Sequence, residues 1–399
     1  ARFGGGGPVW RPRDRDPERR LRVGYLSPDF RLHATAFFLD AVLASHDPAT
    51  VEVHCYSNAE RTDEMTEHLR GLVHGFHDIA RLGHREAAAK IAADGIDVLV
   101  DCAGHTNGHR LDVLACKPAP LQGTWLGYPH GTGLPTMDFR LTDALADPPG
   151  MTEGHYVERL VRLPEGTFCY RAPATAPAPA PGPLERGQGP VFGCFNNPQK
   201  IGAEVIALWA AIVRDVPGAR LRLKARQFLD PKAAKRTRDR FVAAGLPAER
   251  LEIEGRRTFA EGFAEYSTID VALDPFPYHG TTSTCEALWM ATPVVTLPGR
   301  SCVSRVGASL LERVGLSELV ARDEAHYLEI ATGLVSDPPR LATLRRTLRD
   351  RMASSPLCDG PRFARQLEAA YRELWREFCG AGPRPANASS TLVTSDPTV

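Results

Sequence analysis

Short apolar runs of strand length recur along this chain, each followed by a segment of helical length, and the alternation occurs in two separate series. The first series opens with Leu21-Arg22-Val23-Gly24-Tyr25-Leu26, which carries a period-2 pattern and ends in a Ser-Pro-Asp turn. The segment Ala34–Ala44 is apolar all round, which predicts a buried helix. A strand at Val51–Tyr56, helices at Glu64–Leu72 and Arg85–Ala93, and the run Asp97–Asp101 (DVLVD) continue the series. DVLVD has the look of a strand covered on both faces. Residues 172–190, APATAPAPAPGPLERGQGP, then break the rhythm, because prolines without amide donors favour an extended, semi-rigid connector. After them the order restarts, with strands at Val191–Phe195, Arg220–Lys224, Leu251–Glu254, Ile269–Leu273 and Val294–Leu297. Helices at Glu204–Val213, Lys232–Ala244, Phe259–Tyr266 and Ser283–Met290 alternate with these strands. Such series build parallel sheets covered by helices, and their ligands bind at the carboxyl ends of the strands.

The expected organisation is an α/β protein of two Rossmann-like lobes with a site in the cleft between them. A flexible lead-in covers residues 1–20, the first lobe 21–171, the connector 172–190 and the second lobe 191–358. A packing helix over 359–380 puts Phe363, Leu367, Tyr371 and Trp375 on one stripe, and residues 381–399 read as a disordered tail. A length of 399 residues suits two lobes of ordinary size. No run approaches the roughly 20 apolar residues of a membrane helix, so no membrane partner is expected. The formal net charge is zero and no basic-aromatic surface pattern occurs, which argues against a nucleic-acid partner. The local basic stretches Arg11–Arg22 and Lys232–Arg240 read as solvated faces. Nine cysteines without a CxxC pair point to reduced, mostly buried thiols and a cytoplasmic protein. The start has neither an initiator Met nor an apolar signal core, so the chain reads as a piece of something longer.

The most informative segment runs from Leu273 to Leu288, LDPFPYHGTTSTCEAL. A strand ends, a Pro/Gly turn follows, and Thr281, Thr282, Ser283 and Thr284 lead into a helix. Amide donors and hydroxyls at the positive end of a helix dipole suit a diphosphate. Glu286, one turn in, is placed to accept from a ribose diol. The same residues also fit a simple S-x-x-E capping box of Ser283 and Glu286. A second turn, Phe195-Asn196-Asn197-Pro198-Gln199-Lys200, again follows a strand and puts Lys200 at the mouth of a helix. A lysine there neutralises a leaving diphosphate without a metal, or it is a surface lysine in a polar turn.

In the first lobe, His33 follows the first strand and His105 follows DVLVD, both on the side where ligands bind. A structural role for each is the alternative. The loop Gly127–Pro135 carries Gly131 and Thr132, a rigid turn with backbone donors at the crevice or turn geometry alone. The one Asp-x-Asp match, Asp14-Arg15-Asp16, falls in the lead-in, and no HExxH or clustered Cys/His set occurs, so no metal is expected. Positive charge then comes from Lys200, the helix amino end and Arg305.

These segments resemble the catalytic region of the protein O-GlcNAc transferase and SPINDLY family of two-lobed, metal-independent, inverting glycosyltransferases. The resemblance runs from Leu21 to Cys379 and is carried by LRVGYLSPDFRLHATAFFL, PAPLQGTWLGYPHGTG, FGCFNNPQKI, LDPFPYHGTTSTCEALWM and SPLCDGPRF. It implies that His33 lies near the sugar and acceptor, and that Asn197 and Lys200 contact the diphosphate. It further implies that Thr282 and Ser283 bind phosphate and that Glu286 contacts the ribose. The O-GlcNAc branch has histidine and Asp where this chain has Thr281 and Glu286. Those two match the SPINDLY branch, whose plant members use GDP-fucose, so the donor is UDP-GlcNAc or GDP-fucose. Gly262 stands where that branch often has a histidine. Family members carry tetratricopeptide repeats before this region, and no 34-residue period is visible here. The implied reaction is displacement at the anomeric carbon by a protein Ser or Thr hydroxyl, with Lys200 and His33 catalytic and no cofactor. Another two-lobed nucleotide-sugar enzyme, an epimerase or small-molecule glycosyltransferase, and a non-catalytic nucleotide-binding scaffold are the alternatives.

Overall fold

The computed structural model describes residues 10, 14–255 and 259–380. Two parallel sheets follow one another along the chain. The first has seven strands, β1 (Leu21–Ser27), β2 (Val51–Ser57), β3 (Gly75–Asp78), β4 (Val98–Asp101), β5 (Leu121–Thr124), β6 (Phe139–Thr142) and β7 (Arg159–Arg162). Their order is β3-β2-β1-β4-β5-β6-β7, with Tyr25 opposite Cys55 on one side and Val100 on the other. The second sheet has β8 (Val191–Cys194), β9 (Arg220–Ala225), β10 (Leu251–Gly255), β11 (Val271–Leu273) and β12 (Val294–Val295), in the order β10-β9-β8-β11-β12. In both sheets the order reverses beside the first strand, which opens a crevice at the carboxyl ends of the strands. This is the expected two-lobed α/β architecture.

The helix Ala36–Leu43 is buried along its whole length, as its unbroken apolar character predicts. Phe37 and Phe38 turn toward the second lobe's core while Leu39 and Val42 pack in the first. Strands β3, β5, β6 and β7 are absent from the sequence assignment. They are four residues each and, unlike β4, lack an unbroken apolar run, and β3 and β7 are only half covered. The helices Val306–Arg313, Glu324–Ser336 and Pro338–Ala353 were likewise not assigned.

The final helix, Gly360–Gly380, crosses back to the first lobe. Its stripe of Phe363, Leu367, Tyr371 and Trp375 joins the core of Leu21, Val23 and Tyr25. Residues 14–20, expected to be a flexible lead-in, are tied down on this helix. Trp375 Nε1 donates to the Asp16 carbonyl at 3.1 Å, Arg376 pairs with Glu18 at 2.6 Å, and Arg19 pairs with Asp97 at 2.6 Å. The exposed helix end offers arginines and aromatic faces that a charge pattern alone does not reveal. The tail over 381–399 lies outside the described residues.

The connector 172–190 is irregular apart from a turn of 3-10 helix at Leu184–Arg186, and it lies along the second lobe. Leu184 N donates to Asp270 at 3.0 Å, and Arg349 donates to the Pro177 carbonyl at 2.7 Å. The lobes are also joined by Ser309 Oγ donating to Asp143 at 2.9 Å and Arg305 Nε donating to the Leu145 carbonyl at 2.8 Å. Arg305, read as a source of positive charge for the site, is thus spent on two carbonyls and does not line the cleft pocket.

Candidate active site

A pocket of about 310 Å³ opens between the lobes at the carboxyl ends of β1, β5, β8 and β11. The first lobe contributes His33, Thr35, Phe38, Leu126 and Gly127, and the second contributes Asn197, Lys200, Tyr278, Thr281, Thr282, Ser283 and Glu286. Seven residues singled out in the sequence therefore meet at one place.

Lys200 is the last residue of a single turn of 3-10 helix, Pro198–Lys200, whose amino end is capped by the Asn197 side chain accepting from Gln199 N at 3.0 Å. That turn aims the lysine at the cleft. Nζ donates to Asn196 Oδ1 at 3.1 Å and to the His279 carbonyl at 2.8 Å, and lies 4.2 Å from the centre of the Tyr278 ring. Burial lowers its pKa from the ordinary 10.5, opposed by the charge of Asp274.

Beneath Lys200 the turn into the next helix is fixed by a buried cluster. Asp274 accepts from Gly280 N at 2.7 Å and from Thr296 Oγ1 at 2.8 Å. Its carboxyl is pushed up by burial, with these hydrogen bonds opposing. His279 Nδ1 accepts from Gly307 N at 3.0 Å, which makes Nε2 the protonated nitrogen, donating to the Leu297 carbonyl at 2.8 Å. The imidazole is therefore neutral, in keeping with a pKa lowered by burial, and its 3.6 Å approach to Asp274 is not an ion pair of two charges. Gly280 is required by close approach: a Cβ there would stand 2.4 Å from Ser283 Oγ and 2.7 Å from Asn196 Nδ2.

The helix itself, Thr282–Trp289, starts at Thr281 and no side chain caps it. The S-x-x-E capping box is not formed, because the helix is entered at Thr281, two residues before the Ser283 position that box requires. Glu286 instead turns inward, 3% exposed, and accepts from Tyr266 OH at 3.1 Å; the same hydroxyl lies 3.1 Å from the Ser283 carbonyl. The uncapped amino end and one ammonium thus face the same pocket, an arrangement suited to an anion.

On the opposite wall, His33 Nδ1 accepts from Thr35 N at 3.3 Å and lies 3.4 Å from Asp29 Oδ2. Burial lowers the His33 pKa more than Asp29 raises it. Burial likewise raises Asp29, with His33 and Arg31 opposing. The loop after β5 enters the pocket through Leu126 with φ +79, a conformation that costs a non-glycine residue about 1–3 kcal/mol.

His105, Gly131 and Thr132 are elsewhere. His105 is exposed and its Nε2 lies 2.9 Å from the Thr132 carbonyl. The Thr132 amide and hydroxyl both donate to buried Glu158, at 2.6 and 2.5 Å. Gly131 lies against Glu158 and Tyr156, where a Cβ would stand 2.7 Å from the Glu158 carboxylate. The Thr132 amide, a backbone donor expected at the crevice, is thus taken by Glu158, and none of the three residues lines the pocket. Among the aromatic residues that line the pocket, Tyr278, Phe38 and Phe168 carry no site expectation from the sequence. Phe38 reads as one of many apolar residues of the helix Ala36–Leu43, and Tyr278 and Phe168 stand in segments without a spacing signal, so only the fold reveals them.

The model of glycosyl transferase family 41 matches residues 9–171 and 187–367, spanning both lobes and every wall of this pocket. The chain belongs to glycosyl transferase family 41. Among its relatives, the "Probable UDP-N-acetylglucosamine--peptide N-acetylglucosaminyltransferase SPINDLY" of Arabidopsis thaliana is 42% identical over 371 residues, covering 92% of this chain and 40% of that protein. The SEC protein of the same plant, whose description names the same activity, is 30% identical over 380 residues, covering 92% of this chain and 38% of that protein. The family 41 chain thus stands nearer the SPINDLY branch, and it spans about 40% of the length of the SPINDLY relatives it matches. Among solved structures, a lysine-to-methionine mutant of Thermobaculum terrenum O-GlcNAc transferase superposes with a TM-score of 0.89 at 42% identity, covering 94% of this chain and 71% of that one. Among the described residues no group of three or more His, Cys, Asp or Glu is arranged to hold a metal ion, and no helix is long and apolar enough to cross a membrane.

Proposed function

We propose that this family 41 chain is the catalytic region of a protein O-glycosyltransferase. It moves GlcNAc from UDP-GlcNAc, or fucose from GDP-fucose, onto a Ser or Thr hydroxyl of a protein acceptor. The observation that carries the reading is the Lys200 ammonium beside the uncapped amino end of the helix Thr282–Trp289, in one pocket with His33 on the facing wall. The acceptor oxygen attacks the anomeric carbon from the face opposite the diphosphate, so configuration inverts. The anomeric C–O bond breaks, its electron pair stays on the diphosphate, and the acceptor proton passes to a base. Lys200 and the amides of Thr281–Ser283 stabilise the departing charge, the largest electrostatic contribution in such a step. Asn197 contacts the diphosphate, Thr282 and Ser283 supply hydroxyls to it, and Glu286 accepts from the ribose. His33, with Nδ1 engaged by Thr35, offers Nε2 to the sugar or acceptor.

Residues 191–358 serve as the nucleotide-holding lobe and residues 21–171 as the acceptor-side lobe. All nine cysteines are free, six of them buried, which supports a reducing compartment, the cytoplasm. Binding of UDP and GDP measured side by side chooses the donor. Incubation of the preferred donor with Ser/Thr peptides then gives a peptide heavier by one sugar. Altered free sugar with no modified peptide would instead indicate an epimerase or a small-molecule transferase, and nucleotide binding without turnover a scaffold.

A further inference from the structure

Tyr278 is an aromatic residue that the core does not claim. It is 43% exposed, it lines the cleft pocket, and its ring centre lies 4.2 Å from Lys200 Nζ. Two of the three ammonium hydrogens go to neutral oxygens, Asn196 Oδ1 and the His279 carbonyl. Asp274, the carboxylate behind them, is occupied by Gly280 N and Thr296 Oγ1. The ring face is thus the remaining electron-rich surface in contact with a half-buried cation, and an aromatic face attracts an ammonium most strongly where water is scarce.

We infer that Tyr278 is a positioning residue for sugar transfer, its ring keeping the Lys200 ammonium charged and aimed into the cleft until the donor's diphosphate arrives. This rests on the reading of Lys200 as the diphosphate contact. The ionisable groups that face the ammonium are Cys194 from β8, Asp274 after β11, and His279 and Tyr278 from the turn, with His33 and Glu286 on the walls of the same pocket. Asp274 and Cys194 favour the charged form of the lysine while burial disfavours it. The Tyr278 hydroxyl is raised above its ordinary value by burial and by Tyr128, which favours the neutral ring. A residue placed only for packing would be equally served by leucine; a cation-π partner would not.

The chain has six lysines, so its lysine side-chain resonances can be followed individually after isotopic labelling, with Lys200 assigned by the peak lost in Lys200→Met. Tyr278→Phe should titrate with the wild type. Tyr278→Leu and Tyr278→Met, both at an exposed position, should lower the Lys200 midpoint by about one pH unit, the size expected of a partly desolvated cation-π contact. UDP or GDP added to the wild type should raise it. The inference is overturned if the leucine and methionine variants titrate where the wild type does, or if phenylalanine shifts the midpoint as far as leucine, since the hydroxyl and not the ring would then be the contact. A Lys200 resonance unmoved by both nucleotides defeats the diphosphate reading, a separate result that leaves the ring's effect on the ammonium measured.

Discussion

Lys200→Met keeps the length of the side chain and deletes its charge, and the structure sets what each part of the change costs. In the free protein the ammonium donates to Asn196 Oδ1 at 3.1 Å and to the His279 carbonyl at 2.8 Å. Asn196 lines the cleft, where water can replace the ammonium, so that loss should cost about 0.5–1 kcal/mol; His279 is 1% exposed, so its carbonyl left without the donor should cost about 1–3 kcal/mol. That amounts to a fall in Tm of a few degrees. The effect on the leaving diphosphate is larger. A unit charge about 4 Å from a phosphate oxygen at an effective dielectric near 20 is worth ~4 kcal/mol. Removing one preorganised donor from a developing oxyanion costs about 10²–10³-fold in kcat. The two routes agree, and Lys200→Met should lower transfer about 10²–10³-fold. Nucleotide affinity should fall by less than about tenfold, because the interaction strengthens as charge accumulates on the leaving group. Single-turnover transfer to a Ser/Thr peptide, with calorimetric binding of UDP and GDP and a far-UV spectrum as the fold control, measures all three quantities. Transfer within a few fold of wild type, in a folded variant that binds nucleotide normally, refutes the role given to Lys200.

Three further outcomes follow from the same geometry. Glu286→Ala should weaken nucleotide binding at least about tenfold by removing a charge-assisted acceptor, whereas Tyr266→Phe, which deletes the hydroxyl bonded to Glu286 and Ser283, should cost about 1 kcal/mol in a urea titration. Gly280→Ala should abolish UDP and GDP binding, since the new methyl meets Ser283 Oγ at 2.4 Å and Asn196 Nδ2 at 2.7 Å; binding at wild-type affinity would show that the turn yields. His279, with its pKa lowered by burial, binds fewer protons folded than unfolded below pH 6.5, so stability should fall as pH drops through that value. The urea midpoint should decline between about pH 6.5 and 5, and His279→Asn should flatten that decline.

Much of the architecture is legible in the sequence because its strands and helices carry strong local signals. Val98–Asp101 is apolar because both faces of β4 are covered, and the helix Ala36–Leu43 is apolar all round because the two lobes' cores enclose it. The turns at Asn196–Lys200 and Gly280–Ser283 announce themselves by composition after a strand. Strands without an unbroken apolar run did not: β5 (LQGT), β6 (FRLT) and β7 (RLVR) mix polar and apolar residues, and pairing with their neighbours in the sheet defines them. His105, Gly131 and Thr132 lie outside the pocket lining for a related reason. Position at a strand end says which face of the sheet a residue is on, but Glu158, 26 residues beyond Thr132, takes that residue's donors.

The sequence alone determined that the chain folds as two parallel-sheet lobes, and that a lysine and a run of hydroxyls each follow a strand of the second lobe. Periodicity, turn chemistry and motif are local properties, and local properties survive in one dimension. The tertiary structure decided what those residues do with one another. It set Glu286 inward on Tyr266 instead of in a capping box, spent Arg305 on carbonyls of two separate loops, and brought the Tyr278 ring to Lys200 from 78 positions away. Each of those outcomes is a competition for partners among groups distant in sequence, and only the packed chain shows which partner wins.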